Sequence, residues 1–414
     1  MVTVPIERLA AGGDGVGKAP TGKVVFVSRT CPGDVAEVEI TQEKARHAHA
    51  KVLSLKVRGA ERVVPECAHY TDDRCGGCQW QHVSLKVQRE AKSRLVGDAL
   101  RRIGGLDIAD PEIVPSSVNW RYRSKITLTV KRGSGGRKTW IGLRRQGEPG
   151  RVFDLRDCKI TGERIVAVWD TLSKKRALIP DFVDSIVLKE DREGRIHVVL
   201  QGGREVRPLG PLAEAVGLDQ VTYWWQPLDG AARAVHGQVT GYPALAFEQS
   251  NRALADTIRR RAVKGLKVGT SDKVAWDLYG GVGDTARMLA KGGLEVWSLD
   301  SDRAAVAWAE KAFGDPKVHM VAEMVETGLS RLPKPDLVVV NPPRTGMAEK
   351  LARTLNNWAL ESENPRLAYI SCNPATLARD LSKMDAFRVS EVTAFDLFPH
   401  TSHVETLAIL GRAS

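Results

Sequence analysis

Apolar and polar residues alternate in short runs over the first 56 positions. GKVVFVS and VAEVEI are separated by Gly, Pro and Asp, as in CPGD. A period of two predicts half-buried strands, and the punctuation predicts tight turns. Roughly four or five such strands in so short a stretch predict a small barrel of the OB type, a form that often binds oligonucleotides. Residues 83–104 (VSLKVQREAKSRLVGDALRRIG) predict a basic amphipathic helix stopped by Gly. In NWRYRSKITLTV the alternation places Arg121, Arg123 and Lys125 on one strand face and Tyr122 on the other. KRGSGGRKTW predicts a basic turn, and strand patterns continue at SIVLKE and RIHVVL. From about Phe247 the pattern changes. Helical stretches alternate with short apolar runs: KVAWDLYG, EVWSLD, HMVAE, DLVVVN and LAYISC. That alternation predicts parallel βαβ units in a doubly wound α/β sheet. The expected organisation is a barrel over 1–56, a central α+β domain over 57–236 and an α/β domain over 237–414. At ~150 residues per domain, 414 residues agree with three parts.

Charge adds a partner to this picture. The chain carries a net charge of +11. Residues 121–159 hold twelve Lys/Arg against Glu148, Asp154 and Asp157, a net +9 in 39 residues. A focused basic stretch predicts a polyanion partner, most simply nucleic acid, although a solvated surface has the same composition. Arg121, Arg123, Lys125, Arg132, Arg137, Lys138, Arg144 and Arg145 are the candidates for phosphate contact. The N-terminus lacks the apolar core of an export signal, and no run approaches the ~18 apolar residues of a membrane span. A soluble, cytoplasmic monomer is expected. Six cysteines are too few for a disulfide scaffold.

Candidate chemistry gathers at the ends of the predicted parallel strands. VAWDLY runs into GGVGDTARMLA, whose glycines at 280, 281 and 283 permit a tight turn and close approach of a ligand. Asp300 ends the next strand, about 20 residues on, where a carboxylate accepts from ribose hydroxyls. A nucleoside site follows. Asp277 at the end of the first strand would repel a pyrophosphate, which argues against a nicotinamide dinucleotide and for S-adenosylmethionine. Tyr279, Asp300, Asn341 and Cys372 all fall at strand ends, where ligands of open α/β sheets sit. Taken alone, a cysteine after an apolar strand reads more often as inert core than as catalytic, and the place of Cys372 at the start of a polar turn on the sheet edge shifts the reading toward catalysis. Cys67-x7-Cys75-x2-Cys78 with Cys158 supplies four candidate metal ligands, and spacing alone does not choose between zinc and an iron–sulfur cluster.

Several motifs together carry a resemblance. FEQSN (247–251), DLYGGVGD, NPPRTGM (341–347), SCNP around Cys372 and FPHTSHVETLAIL (398–410) resemble the RNA uridine-5-methyltransferases. CGGCQWQH with Cys67 and Cys158 is similar to the iron–sulfur motif of the ribosomal-RNA branch, and residues 1–56 resemble its TRAM domain. The resemblance implies a Rossmann-like methyltransferase sheet and transfer of a methyl group from S-adenosylmethionine to carbon 5 of a uridine. It further implies Cys372 as nucleophile, Glu405 as base, and Gln249, Tyr279, Asp300 and Asn341 as methyl-donor contacts, with Asp284 a further candidate. Cys67, Cys75, Cys78 and Cys158 are implied to hold a [4Fe-4S] cluster. Ribosomal RNA (23S) is the expected partner, with transfer RNA as the alternative. The chain departs from the family at Asn341, where Asp is usual, and in the seven-residue first cysteine gap, where five is usual. Asn341 keeps an acceptor oxygen and loses the charge, which leaves a non-catalytic RNA-binding homologue as a further alternative. An Asn-Pro-Pro start is also found in amino-group methyltransferases, but these want an aromatic where this chain has Arg344.

Overall fold

The computed structural model describes residues 1–133, 138–204, 209–238 and 241–413. Arg137, one of the basic candidates, lies outside them. Among the described residues the strands form a closed barrel and two open sheets. The barrel runs Val2–Leu9, Gly15–Lys18, Val24–Val27, His47–Val57 and Val35–Glu43 in spatial order. Its alternating positions (Val4, Ile6, Val25, Val27, Ala36 and Val38) point inward and form its core, as the period-two pattern requires.

The central sheet is ordered Arg233–His236, Val221–Gln226, Ile196–Gln201, Ser185–Glu190, Lys125–Arg132, Thr139–Arg145 and Glu148–Asp154. Helix Glu163–Lys174 packs Ile165, Val168, Trp169 and Leu172 into the core of this sheet. The predicted strand at NWRYRS is not continuous. Ladder pairing in the sheet begins at Lys125; before it Arg123 makes an isolated bridge to Thr161, and Arg121 adopts a left-handed backbone (φ 57°). Burial still alternates across this stretch, with Tyr122 and Ser124 buried and Arg121, Arg123 and Lys125 half-buried.

The C-terminal sheet is ordered Val318–Ala322, Glu295–Asp300, Val274–Leu278, Leu337–Val340, Arg366–Ser371, Glu405–Arg412, Phe387–Phe395 and Glu112–Val114. Its first five strands in this order are mutually parallel, and Glu405–Arg412 returns antiparallel beside Arg366–Ser371. The chain leaves Val274–Leu278 in one direction across the sheet and later resumes at Leu337–Val340 in the other. That reversal is the switch point at which open α/β sheets bind ligands.

Two elements cross the expected boundary at 236. Helix Leu85–Arg102, N-capped by Ser84, buries Val96 and Leu100 in the core of the C-terminal sheet rather than in the central domain. Strand Glu112–Val114 adds to that sheet's edge, parallel to Phe387–Phe395. The apolar stripe of the helix shows that it packs on something. It does not show that the partner lies some 300 residues away.

The link is an ion pair as well as a core. Lys92 donates to Asp396 Oδ1 at 2.5 Å and to the Phe398 carbonyl at 2.9 Å, and both charged side chains are fully buried. Arg89 adds a second bond to Asp396 at 3.3 Å. Removing one member of such a pair strands the other charge in a dry interior. Lys92→Met is expected to lower unfolding free energy by about 3 kcal/mol, read by urea denaturation. Lys86→Met, on the solvent side of the same helix, is expected to change it by less than about 0.5 kcal/mol.

Candidate functional site

The strand ends meet along one edge of the C-terminal sheet. Val274–Leu278 leads into Tyr279, whose φ of 60° turns the chain sharply into the glycine loop. Gly280 has no room for a side chain: a Cβ there would lie 2.1 Å from Ser298 Oγ. Asp300 holds this loop in place. Its Oδ2 accepts from the Gly281 amide at 2.8 Å and its Oδ1 from the Asp302 amide at 2.8 Å. Each oxygen keeps lone-pair capacity for a ligand hydroxyl. Tyr279 donates to Glu326 at 2.7 Å. Asn341 follows Leu337–Val340 and ties its amide to the Leu278 carbonyl at 3.1 Å, so it sits on the switch point itself.

Asp277 lies beneath the loop and is almost fully buried. Burial pushes its carboxyl up to about 7, against the Ser298 hydroxyl and the Ala286 amide that favour the ionised form. Its Oδ1 has no hydrogen-bond partner. Asp284 is differently placed from a free ligand contact. Arg192 of the central domain grips it through two bonds of 2.5 and 2.6 Å, and Arg259 adds a third at 3.2 Å. Its charge is therefore committed to fastening the central sheet to the glycine loop. Glu248 extends the same fastening, accepting from Lys189 and Arg192 at 2.9 Å each and from Tyr242.

Cys372 and Glu405 come together by strand register. Ser371 pairs with Thr406 in the antiparallel ladder. Cys372 and Glu405 are the next residues beyond this pair at the carboxyl edge of the parallel strands, near enough that the Glu405 charge raises the Cys372 thiol. Asn373 and Pro374 end the strand and start helix Pro374–Leu381: the Asn373 side chain caps the Ala375 amide, and Pro occupies the first helical turn. Glu405 is 1% exposed. Burial pushes its carboxyl up to about 8, while Arg344, Arg259 and a hydrogen bond from Gln249 pull the other way. That bond joins Gln249 Nε2 to Glu405 Oε1 at 3.3 Å, and Oε2 has no partner. Asn251, two residues beyond Gln249, is structural. It caps helix Arg252–Gly265 and donates to Ser116 and the Leu397 carbonyl at 2.9 and 3.2 Å. Arg344 and Glu326 were not singled out from sequence as contributors to the site; their signal was their place at or just beyond a strand end.

The segment leading into Glu405 is held from the N-terminal half. Gln79 and Trp80 donate their amides to the His400 carbonyl at 3.1 and 2.9 Å. The His400 amide donates to Gln88 at 2.8 Å, and Trp120 stacks on its ring with centroids 3.7 Å apart. Tyr122 donates to the Pro399 carbonyl at 2.9 Å.

Gln79 and Trp80 directly follow the cysteine cluster. Cys67, Cys75, Cys78 and Cys158 line one small cavity of ≈ 30 Å³, together with Arg123 and Ile160. All are free thiols. The Gly77 amide donates to Cys75 Sγ at 3.3 Å. Burial, reinforced by the neighbouring cysteines, pushes the Cys75 thiol up to about 11 and raises that of Cys78 as well. Among the described residues no three His, Cys, Asp or Glu side chains stand close enough to hold a metal ion. The cysteines surround a space without converging on one point.

The basic candidates divide. Arg121 forms a two-bond pair with Asp157 at 2.7 and 3.0 Å and donates to the Cys158 carbonyl at 3.0 Å, which fixes the loop bearing that cysteine. Arg132 donates to the Val183 and Pro180 carbonyls at 2.7 and 2.9 Å. Both guanidiniums are thus engaged by the protein's own chain, while each side chain stays partly exposed. Arg123 is half-buried against the cysteine cavity, and Lys125 is half-buried too. Lys138 and Arg144 are exposed, with Lys138 over the Trp140 ring. Arg145 lies 3.8 Å from Asp73. No helix among the described residues is long and apolar enough to cross a membrane.

Comparison with known proteins bears on this geometry. A model of the tRNA (Uracil-5-)-methyltransferase family matches residues 332–413, and a TRAM domain model matches 1–53. An uncharacterized RNA methyltransferase of Thermosynechococcus vestitus is 31% identical, over 99% of this chain and 97% of its own. The 23S rRNA (uracil(1939)-C(5))-methyltransferase of Shewanella woodyi is 27% identical, over 99% and 95% respectively. The crystal structure of Pyrococcus abyssi tRNA (uracil-54, C5)-methyltransferase with S-adenosyl-L-homocysteine shares the fold, with a TM-score of 0.71 at 23% identity over 99% of this chain and 100% of that one. With similarity running the length of the chain and the site's residues gathered at one sheet edge, the protein belongs to the S-adenosylmethionine-dependent RNA (uracil-5-)-methyltransferases.

Proposed function

We propose that this chain methylates carbon 5 of a uridine in ribosomal RNA through a covalent adduct with Cys372. The observation that carries this is the juxtaposition of the Cys372 thiol with the buried Glu405 carboxyl. Carbon 5 of uracil is a weak nucleophile. The Cys372 thiolate adds to carbon 6, and the electron pair displaced toward carbon 5 gives an enolate. S-adenosylmethionine supplies an electrophilic methyl group on a sulfonium, and carbon 5 takes it. Glu405 then removes the proton from carbon 5, carbon 6 expels the thiolate, and the ring recovers its double bond. Gln249 orients the Glu405 carboxyl through its 3.3 Å bond. Asp300, Tyr279 and Asn341 would hold the methyl donor at the switch point. A uridine must leave its stack to enter this edge, which favours recognition of RNA shape over a linear sequence. Support for ribosomal RNA comes from the Shewanella woodyi relative.

We infer that the four cysteines hold a [4Fe-4S] cluster. Among the described residues no three such side chains already stand close enough to hold a metal ion, and what supports the cluster is the donor set, four thiols around one cavity. A polynuclear group suits that donor set, and the Gly77 amide already faces a sulfur. The cluster's role in this chain is to pin Cys158 to the CGGC loop, whose next two residues grip the His400 carbonyl.

Incubation with methyl-labelled S-adenosylmethionine and unmodified host RNA is expected to label ribosomal RNA as 5-methyluridine. Labelling of transfer RNA alone would move the target, and RNA binding without any transfer would favour the non-catalytic alternative. Cys372→Ala is expected to abolish transfer; unchanged turnover would refute the mechanism. Glu405→Gln is expected to accumulate a protein–RNA adduct on a denaturing gel.

The rate of proton removal should rise with pH and level off above about 8, as the Glu405 carboxyl ionises. Stability has the opposite sign. The folded value of Glu405 lies above the ordinary 4.5 of a free carboxyl, so its contribution is full below pH 4.5 and is lost as pH rises through about 8. Glu405→Gln is expected to flatten that part of the pH–stability curve.

Anaerobically purified protein is expected to be brown, with iron and labile sulfide in equal amounts. Colourless protein with stoichiometric zinc would overturn the cluster assignment.

A further inference from the structure

The turn that follows Asn341 is clamped to the helix that follows Cys372. Asn373 Nδ2 and Thr376 Oγ1 both donate to the Arg344 carbonyl, at 3.1 and 3.3 Å. Arg379 donates to the Thr345 carbonyl at 2.8 Å, and Asp380 accepts from the Met347 amide at 2.7 Å and the Tyr369 hydroxyl at 2.6 Å. Gly346, at φ 77°, is part of this fit: a Cβ there would lie 2.5 Å from both Arg379 and Asp380. The clamp fixes Arg344 beside Cys372 and takes only main-chain groups from the turn. The Arg344 side chain itself is exposed at the site's mouth.

We propose that the Arg344 guanidinium is the counter-ion of the Cys372 thiolate, and so a further member of the reaction machinery. This rests on Cys372 being the nucleophile. Burial and the nearby Glu405 carboxyl both disfavour the charged thiolate, and the Arg344 charge opposes them. The groups facing this point come from four elements. Glu405 is on the C-terminal strand, His403 in the loop before it, Arg259 on helix Arg252–Gly265, and Arg344 on the clamped turn. Burial and Arg344 together hold His403 down to about 4, so it is neutral and does not compete as a cation. Arg259 is engaged with Asp256 and Asp284, at 2.7 and 3.2 Å. Arg344 is therefore the cation directed at the sulfur.

The test is the pH dependence of Cys372 alkylation by iodoacetamide, read by mass spectrometry of the Cys372 peptide in the full-length protein without RNA or methyl donor. Arg344→Gln is expected to move the alkylation curve up by about one pH unit, a roughly tenfold slower reaction near neutrality. Arg344→Lys is expected to recover most of the shift. The melting temperature should stay put in both, because the clamp uses the main chain. A Gln variant whose alkylation curve superimposes on the parent would overturn the proposal. So would a raised, salt-sensitive KM for RNA with an unmoved alkylation curve, which would make Arg344 a phosphate contact. The alkylation curve reports on the thiol whether or not uridine is methylated, so failure of the proposed activity and failure of this inference are separable.

Discussion

Two antiparallel strands decide what this sheet edge can do. Arg366–Ser371 ends where Glu405–Arg412 begins, and the register that pairs Ser371 with Thr406 sets a thiol and a carboxyl side by side. Neither group suits the place in its charged form. Desolvation raises both, so the neutral thiol and the neutral acid are the resting state favoured by burial. The remaining architecture answers that constraint. Gln249 directs the carboxyl, the clamped turn presents a guanidinium, and the parallel strands leave a crevice at their switch point for a charged donor molecule.

Holding such a site costs long-range connections. The loop before Glu405 is gripped by Gln79, Trp80 and Gln88, by Tyr122 and Trp120, and by Lys92 through Asp396 and Phe398. Each of these comes from the first third of the chain. The glycine loop is fastened from the middle third, by Arg192 on Asp284. The base and the nucleoside loop are thus each positioned from outside the sheet that carries them. The cysteine-bearing segment is joined to the base by two consecutive amides on one carbonyl, so its order and the order of Glu405 are not independent.

How much of this was legible in the sequence follows from the range of the forces involved. The parallel strands were plain, because a strand buried on both faces is a short apolar run, as in LVVV before Asn341. Cys372, Gln249 and Glu405 were found through motifs whose neighbours have local jobs: Asn373 and Pro374 start a helix and Asn251 caps another. Charge alone does not show which basic side chains the protein engages itself. Arg121 and Arg132 are spent on internal carbonyls, and Arg121 takes a left-handed backbone that alternation cannot reveal. Asp284 looked like a ligand contact because nothing local shows that Arg192 will reach it. The packing of helix Leu85–Arg102 on the C-terminal sheet was hidden for the same reason: an amphipathic helix reveals that it has a partner and says nothing of how far along the chain that partner lies.

The docking of helix Leu85–Arg102 has a temporal side. Lys92 and Asp396 are 304 positions apart. At roughly 5–20 residues per second of synthesis, the lysine waits on the order of 15 to 60 s for its aspartate. Throughout that interval the helix has its apolar stripe and its basic face uncovered, while the barrel ahead of it has every strand it needs. The nascent chain therefore carries a finished barrel trailed by an unpartnered cationic helix, and the sheet closes over that helix only when almost the last strand has been made.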